Sequence, residues 1–589
     1  MLKYTPPLDD IRFNLEVFGY PALIAALPKL ADFDLDTAMA LLGEYSNYCA
    51  NVLYPLNQKA DQQGLHFDGA TGAVTTPDGF KEAYKGWVDA GFGGLAHSAE
   101  HGGGGAPFTL AVLGSEILIA CNKSFSMCPG LTTGLIDALE AHGTDEQKHR
   151  FLGKLITGEW SGTMCLTEPQ CGTDLGLLTT RAEPRGDGSY TLRGTKIWIT
   201  FGEHDLTENI VHLVLARLPD APPGIKGISA FLVPKLLDDG SFNHISCGGL
   251  EHKMGIHASP TCVINIDGAQ GWMLGEAHKG MRSMFVMMNA ARLNVGIEGV
   301  ALAEAAYQAA LTFAKDRRQS RSLNPARQEA GQAADNILVH PDVRRMLLNI
   351  KATNEALRGL VAMIALAYDT MLHHPDAAER AAAEDRVALM TPIIKSFGSE
   401  RGFLNVSEAM QVMGGAGFTT DWPVEQHLRD VRIAMIYEGT NHIQALDLVG
   451  RKLPLGGGRL LQQFAAEVTA TIEQASAVPS LAAYAQALGK EAGRLTNTTM
   501  ELMGKAMADA EEVGAAASNY LNQVAINTLG YVWLKQLLYL EGQPDSAQKR
   551  GKHQTARWFF EGVLPEAALY AKRVSVGKAP LMDADVDLL

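Results

Sequence analysis

Apolar residues fall at helical spacing from Asp36 to Leu53, and the apolar runs Ser115 to Cys121 and Leu131 to Ala141 are of the same kind. This predicts a mostly helical domain over residues 1–160. The period then changes. Ser189 to Thr200 (SYTLRGTKIWIT), Ile210 to Arg217, Ile228 to Val233 and Cys262 to Ile266 are rich in β-branched and aromatic residues and are punctuated by Gly, Pro and Asp. That is the pattern of an all-β block, barrel or sandwich, over 161–277. Helical spacing returns at Met281. One long helix is expected from Met284 to Thr312, an exposed polar loop over 320–339, and further helices over Pro341 to Leu372 and Arg386 to Met413, a bundle spanning 278–455. Gly456-Gly457-Gly458 reads as a linker. Beyond it a helical extension, 456–589, holds Pro479 to Leu495, Thr498 to Leu540 and Gln554 to Arg573.

The uncharged stretch Val513 to Leu534 carries Asn519, Asn522, Gln523 and Asn527, which are too costly in lipid. Leu521, Val524, Ala525, Thr528 and Val532 share one helical stripe, so a buried helix and no transmembrane segment is expected. The order helical, β, helical, extra helical predicts a multidomain α+β protein. It lacks the βαβ alternation of a dinucleotide-binding fold.

Composition narrows the class. The chain has 589 residues, 47% hydrophobic and 20% charged, enough for several cores and too apolar for disorder. Its 60 Gly show no collagen period. Lys+Arg 50 less Asp+Glu 65 gives −15, which disfavours nucleic acid as the default partner. The seven Cys form no C-x-x-C pair, so neither a disulfide framework nor a zinc ribbon is expected. A reducing, cytoplasmic setting fits. The opening MLKYTPPLDDIRF has no apolar run and the closing DVDLL is no peroxisomal address.

Several motifs fail on context. Gly91-Phe-Gly93-Gly-Leu-Ala96 formally matches G-x-G-x-x-A, but an amphipathic helix, Phe80 to Ala90, precedes it rather than a strand. No P-loop is present. His101-Gly-Gly-Gly-Gly105 resembles an oxyanion loop, yet no G-x-S-x-G elbow accompanies it, so it reads as a turn in close approach to something. His373-His374 and His252 with His257 lack completing ligands, and no metal is expected.

Four segments stand out instead: Met164-Cys-Leu-Thr-Glu-Pro-Gln-Cys-Gly-Thr-Asp-Leu-Gly176, Lys196-Ile-Trp-Ile-Thr200, Asp316-Arg-Arg-Gln319, and Gln411-Val-Met-Gly-Gly415 through Ile436-Tyr-Glu-Gly-Thr440. Each has an ordinary reading. Trp198 could be core on an alternating strand, Arg317 and Arg318 a solvated helix end, Gly414, Gly415 and Gly417 a helix stop. Glu438 follows the apolar Ala434-Met-Ile436 and reads equally as a desolvated base or as a rim carboxylate.

Taken together, in this order and spacing, TEP…GTD, KIWIT and IYEGT resemble the acyl-CoA dehydrogenase flavoprotein family over about residues 40 to 450. The resemblance implies FAD and an acyl-CoA thioester. Met164, Leu166, Thr167 and Gly172 match the segment against the flavin. Thr173 matches a residue on FAD phosphate or pantetheine, and Trp198 and Thr200 match the wall beside the ring. Arg317 matches an arginine for the pyrophosphate of a neighbouring subunit's FAD; Gln411, Gly414 and Gly415 match the segment closing on its adenosine-diphosphate half. Thr440 and His442 match further flavin contacts, and Asn289, Arg292, Tyr437 and Gly439 surround CoA. Glu438 matches the base that removes the α-proton while the β-hydrogen leaves as hydride to flavin N5. The thioester carbonyl is polarised in the family by the base's own backbone N–H and a ribityl hydroxyl. Some members place the base on the long helix instead, where this chain has Asn289, Ala290 and Ala291, none of them basic.

There are departures. Asn289 stands where Asp is common, Gln319-Ser-Arg321 replaces an aromatic-Gly pair, and His442 replaces Gln or Asn. The family core ends near 450, leaving about 135 residues beyond it. Lys253-Met-Gly-Ile-His-Ala-Ser-Pro-Thr261 and the Cys-free extension sit nearer a large bacterial branch resembling 3-methylmercaptopropionyl-CoA dehydrogenase than the very-long-chain branch. The expected activity is α,β-dehydrogenation of an acyl-CoA, the methylthio compound or a fatty acyl-CoA, with an electron-transfer flavoprotein as acceptor and a homodimer as the assembly. The alternatives are an acyl-CoA oxidase reducing O₂ and a nucleic-acid-binding relative. Glu467, Glu473, Glu491, Glu501, Asp509, Glu511 and Glu512 make the extension too acidic for the latter.

Overall fold

The structure is a computed structural model describing residues 3–589; the first two positions of the expected N-terminal domain lie outside the described residues. The chain divides into two compact units, Glu44–Arg292 and a helical unit made of the chain up to Gly43 with Leu293–Leu589.

In the first unit helices Phe108–Cys121, Lys123–His142 and Asp145–Thr157 precede the sheet. A short hairpin pairs β1, His66–Phe67, with β2, Val74–Thr75. Seven strands follow: β3 (Trp160–Cys165), β4 (Arg181–Pro184), β5 (Tyr190–Thr200), β6 (Asn209–Arg217), β7 (Ile228–Pro234), β8 (Ile245–Leu250) and β9 (Thr261–Leu274). β6 pairs with β3, β4 and β7, β7 with β9, β9 with β5, and β5 with β4, so the sheet closes on itself. Strands β3, β4 and β8 escape the hydrophobic pattern because they are short or polar.

Alternation along β6 and β7 explains two cores. Val211, Leu213, Leu215, Ile228, Ala230 and Leu232 face helices through Leu135, Leu139, Met284 and Met287. Val214, Ala216, Phe231 and Val233 face the other way, against Ile199, Ile264 and Ile266. Both faces are buried, which is why these strands read as near-continuous apolar runs.

In the helical unit the long helix Gly280–Asp316, whose first turns belong to the sheet unit, meets a chain that runs Ala377–Ile393, a π-turn Ile394–Gly398, and Ser399–Met413. The expected helix Arg386 to Met413 therefore carries a π-bulge. Glycines permit the crossing: a Cβ on Gly299 would lie 2.0 Å from the Gly398 oxygen, and one on Gly402 2.3 Å from the Gly299 Cα. The 320–339 loop is held by buried Asp335, which accepts from the backbone N–H of Ser322 (2.7 Å) and Glu329 (2.8 Å).

The extension differs from expectation in its break. Helix Ala482–Ala508 runs past 495, and the turn lies at Asp509, which accepts from the Glu511 N–H and pairs with Lys578. Helix Glu511–Glu541 is buried on all sides from Tyr520 to Leu534, not along one stripe. Its buried amides find donor-side partners: Gln523 donates to Thr498 (3.3 Å), Asn527 to the Gln523 carbonyl (2.9 Å), and Gln536 to Asn14 (2.8 Å), while the side-chain oxygens of Gln523, Asn527 and Gln536 are buried without one. No helix among the described residues is long and apolar enough to cross a membrane. A buried network fastens the extension to the bundle. Arg358 pairs with Asp10 (2.6 Å) and Glu304 (2.9 Å), and Lys552 with Asp10 and with Glu355 (2.9 Å).

Candidate active site

Met164, next to the end of β3, and Leu166 pack half-buried against the core that the sheet shares with the helices. The chain then leaves the sheet, and buried Lys196 fixes its course. Its ammonium donates to the Leu166 carbonyl (3.0 Å) and to Glu168 (2.8 Å), both side chains being buried. Glu168 also accepts from Gln170 (2.6 Å) and from the N–H and hydroxyl of Thr179 (2.7 and 2.8 Å) and of Thr180 (3.0 and 2.6 Å). Burial pulls its pKa up, but Lys196 and these donors prevail and hold it at about 2. Burial draws Lys196 down, against the opposing pull of Glu168. The Ile197 N–H donates to the Thr167 carbonyl (2.9 Å), so the Thr167 and Trp198 segments lie side by side.

Trp198 corrects the core reading. The register of β5 against β9 slips between Lys196 and Ile199, and at this bulge Trp198 takes a φ of 63° with 56% of its surface exposed. A left-handed conformation costs a residue with a Cβ roughly 1–2 kcal/mol. Leaving a large ring in water forgoes its burial as well. Such strain concentrates at functional positions. Thr200 is half-buried and pairs with Thr261, while Gly172 and Thr173 are exposed on the loop beyond Thr167. On the long helix Asn289 is exposed and Arg292 half-buried.

In the helical unit Ile436 to Thr440 forms a loop between the turn Arg432–Met435 and helix Asn441–Asp447. Glu438 is half-buried with a φ of 55°, so it too is a non-glycine residue in the left-handed region. Three contacts hold the loop. Gln444 donates to the Glu438 carbonyl (3.2 Å). Lys395, wholly buried on the π-turn, donates to the Gly439 carbonyl (2.6 Å) and Asn441 (3.1 Å). The Tyr437 hydroxyl donates to buried Glu298 (2.5 Å). Burial, and then the Glu298 charge, push the Tyr437 pKa up, so the phenol stays a donor. Thr440 caps the following helix by accepting from the Ile443 N–H (3.3 Å). His442 is exposed and bonds Ser518 of the extension (3.0 Å).

Arg317 follows the long helix and is exposed. Gln411, Gly414 and Gly415 are exposed where Ser399–Met413 ends. Gly414 has φ 59° and ψ −140°, a conformation essentially open only to glycine. A Cβ on Gly414 or Gly415 would meet no protein atom within 4 Å. Phe313 against Trp422 (5.6 Å, edge-on) ties the end of the long helix to the segment after these glycines.

The motifs include Gln444, the Gln of IYEGT…IQ, and pass over Glu298 and Lys395. The one available signal was a lone lysine inside the apolar stretch Met390 to Phe397. The rejected His101 to Gly105 loop is indeed in close approach: a Cβ on Gly103 would lie 2.3 Å from the His97 carbonyl oxygen.

Four family models match in order: acyl-CoA dehydrogenase N-terminal domain (36–159), middle domain (163–269), C-terminal domain (278–453), and acetyl-CoA dehydrogenase C-terminal like (464–585). The chain is 46% identical to a 3-methylmercaptopropionyl-CoA dehydrogenase of Ruegeria pomeroyi over 80% of each chain. It is 34% identical to a butyryl-CoA dehydrogenase of Syntrophomonas wolfei over 99% of this chain and 98% of that one. In fold it resembles an acyl-CoA dehydrogenase from Bacillus anthracis complexed with FAD, with a TM-score of 0.77 at 22% identity over 94% of this chain and 90% of that one.

Proposed function

Because this chain belongs to the acyl-CoA dehydrogenase family, we propose that it is a flavin-dependent acyl-CoA dehydrogenase in which Glu438 removes the α-proton of the thioester. The observation that carries the assignment is the loop of Glu438: a half-buried carboxylate in a strained conformation, anchored through its own carbonyl and through both neighbours, Tyr437 and Gly439.

The residues fit FAD. Trp198 offers an exposed aromatic face at a strained bulge, with Thr167 alongside, which suits a flat conjugated ring. Thr200, Met164, Leu166 and the exposed Gly172 and Thr173 belong to the same edge of the sheet unit. In the helical unit, exposed Arg317 supplies a fork for pyrophosphate of a second subunit's cofactor, and Gln411, Gly414 and Gly415 supply an open backbone. The family resemblance assigns Thr440 and His442 to flavin, and Asn289, Arg292, Tyr437 and Gly439 to CoA. When bound, FAD supplies the acceptor for the hydride leaving the β-carbon. The chain does the rest: the Glu438 carboxylate takes the proton, and the buried anchors around it hold the carboxylate where it can reach the α-carbon.

The substrate class rests on the two relatives named above, whose acyl groups are short, so the best substrates are short acyl-CoAs, 3-methylmercaptopropionyl-CoA among them. The acceptor is an electron-transfer flavoprotein. Turnover under argon with that acceptor or a dye, across acyl groups from butyryl to palmitoyl plus the methylthio compound, should peak at the short end with little peroxide released under air. A palmitoyl optimum overturns the substrate class, and stoichiometric peroxide makes the protein an oxidase. Because the extension packs along the bundle through Trp533 on Ala352 (3.0 Å) and Trp558 on Asn349 (2.7 Å), the assembly is a homodimer. Light scattering should give twice 63.3 kDa; a tetramer mass overturns it.

A further inference from the structure

A second cluster of ionisable groups, none of them assigned above, lies in the sheet unit. Asp137 and Glu140 are three positions apart on helix Lys123–His142 and so share a face. His97 comes from the turns that precede the glycine loop. The nitrogen of His97 and the carboxylate oxygens of Asp137 and Glu140 lie within 4.8 Å of one another.

The loop exists in this form to hold His97. The Gly105 N–H donates to the His97 carbonyl (2.9 Å), Gly104 to Gly94 (3.0 Å) and Ala106 to Leu95 (3.0 Å). With Gly103 already against the His97 carbonyl, any side chain at 103 would displace it. The cluster is left electrostatically incomplete. His97 is 6% exposed, and its ring has no hydrogen-bond partner among the described residues. One carboxylate oxygen of Glu140 is buried without a partner, while the carboxylate takes the Ser98 N–H. Neither carboxylate has a lysine or arginine paired to it among the described residues. A buried imidazole and two half-buried carboxylates therefore converge on one point, with Lys148 and His101 near enough to act on Glu140.

We propose that His97, Asp137 and Glu140 form a site for a divalent transition metal of the Zn²⁺ class, with water completing the shell. A neutral imidazole with two carboxylates suits such a borderline ion better than Ca²⁺ or Mg²⁺, which prefer oxygen alone. Ligand bonds of about 2.0–2.2 Å place ligand atoms closer together than the present limit of 4.8 Å, so side-chain rotation closes the set without moving the helix. The ion would staple the glycine loop to the helix, a structural role independent of dehydrogenation.

Calorimetric titration of the FAD-loaded protein, first treated with EDTA, with Zn²⁺ tests this. The expected result is one saturable Zn²⁺ per subunit, weakened at least 10-fold in His97→Ala and in Glu140→Gln. No saturable binding to the unmutated protein overturns the proposal. So does unchanged affinity in the variants, which would place the ion on surface histidines. If His97→Ala fails to fold, the near-isosteric Asp137→Asn replaces it with the same criterion. Inner-sphere coordination gives visible d–d bands with Co²⁺ that Zn²⁺ displaces, and their absence also overturns it.

Discussion

Leu166–Glu168 in the sheet unit and Glu438–Thr440 in the helical unit are tied down by the same device, a fully buried lysine, and differ in what the lysine meets. Lys196 donates to a backbone carbonyl and to the Glu168 carboxylate. Lys395 donates to a backbone carbonyl and to the neutral amide oxygen of Asn441. Lys196 is two residues from the left-handed Trp198, and Lys395 holds the carbonyl of Gly439, next to the left-handed Glu438. The difference separates two carboxylates that both stand in signature segments. Glu168 accepts from Lys196 and five further donors and is held at about 2. Its lone pairs are occupied and its proton affinity is low, so it is a structural anchor and a poor base. Glu438, proposed above as the base, is anchored instead through its backbone carbonyl, which accepts from Gln444.

The sharpest way to break this comparison is to exchange the roles. Glu438→Gln should lower kcat by about 10³-fold, the scale of a lost general base, while the flavin absorbance of the purified protein persists. Near-normal turnover would remove Glu438 from the mechanism.

The two lysines should then differ in energetic terms. Lys196→Met leaves Glu168 as a buried charge without its partner, a loss of about 3–5 kcal/mol. Lys395→Met strands the Gly439 carbonyl and the Asn441 amide oxygen, at about 1–3 kcal/mol. Urea unfolding of both variants reads the difference. Equal losses would mean that the carboxylate beneath Lys196 is not what distinguishes the two anchors.

Much of this was legible beforehand, and the limits are physical. Strands β6 and β7 announce themselves because both faces are buried, and the long helix does so by its period. The break at Asp509 was invisible because helix Ala482–Ala508 keeps its apolar spacing through 495; only Lys578, far along the chain, shows why the turn falls where it does. Glu438 was found through the spacing of IYEGT, but Glu298 and Lys395 were not, since a lone charged residue in an apolar helix carries no motif until its partner is known. Trp198 is the clearest case: the alternation of β5 predicts an ordinary strand position, and the register slip that turns its ring outward is set by β9, some 65 residues away.

The smallest expected effect belongs to the third anchor. Tyr437 donates to Glu298 at 2.5 Å, and Glu298 is 4% exposed. Tyr437→Phe keeps the ring and its packing and deletes one donor to a buried carboxylate, which costs about 1.5 kcal/mol. Because Tyr437 is adjacent to Glu438, part of that loss should appear as poorer positioning of the base, a few-fold fall in kcat with KM little changed. Steady-state kinetics beside thermal unfolding separates the cases. If stability falls and kcat does not, the loop is held by Lys395 and Gln444 alone. If kcat falls as far as in Glu438→Gln, the phenol takes part in proton transfer, and the division between anchored backbone and reacting carboxylate would have to include it.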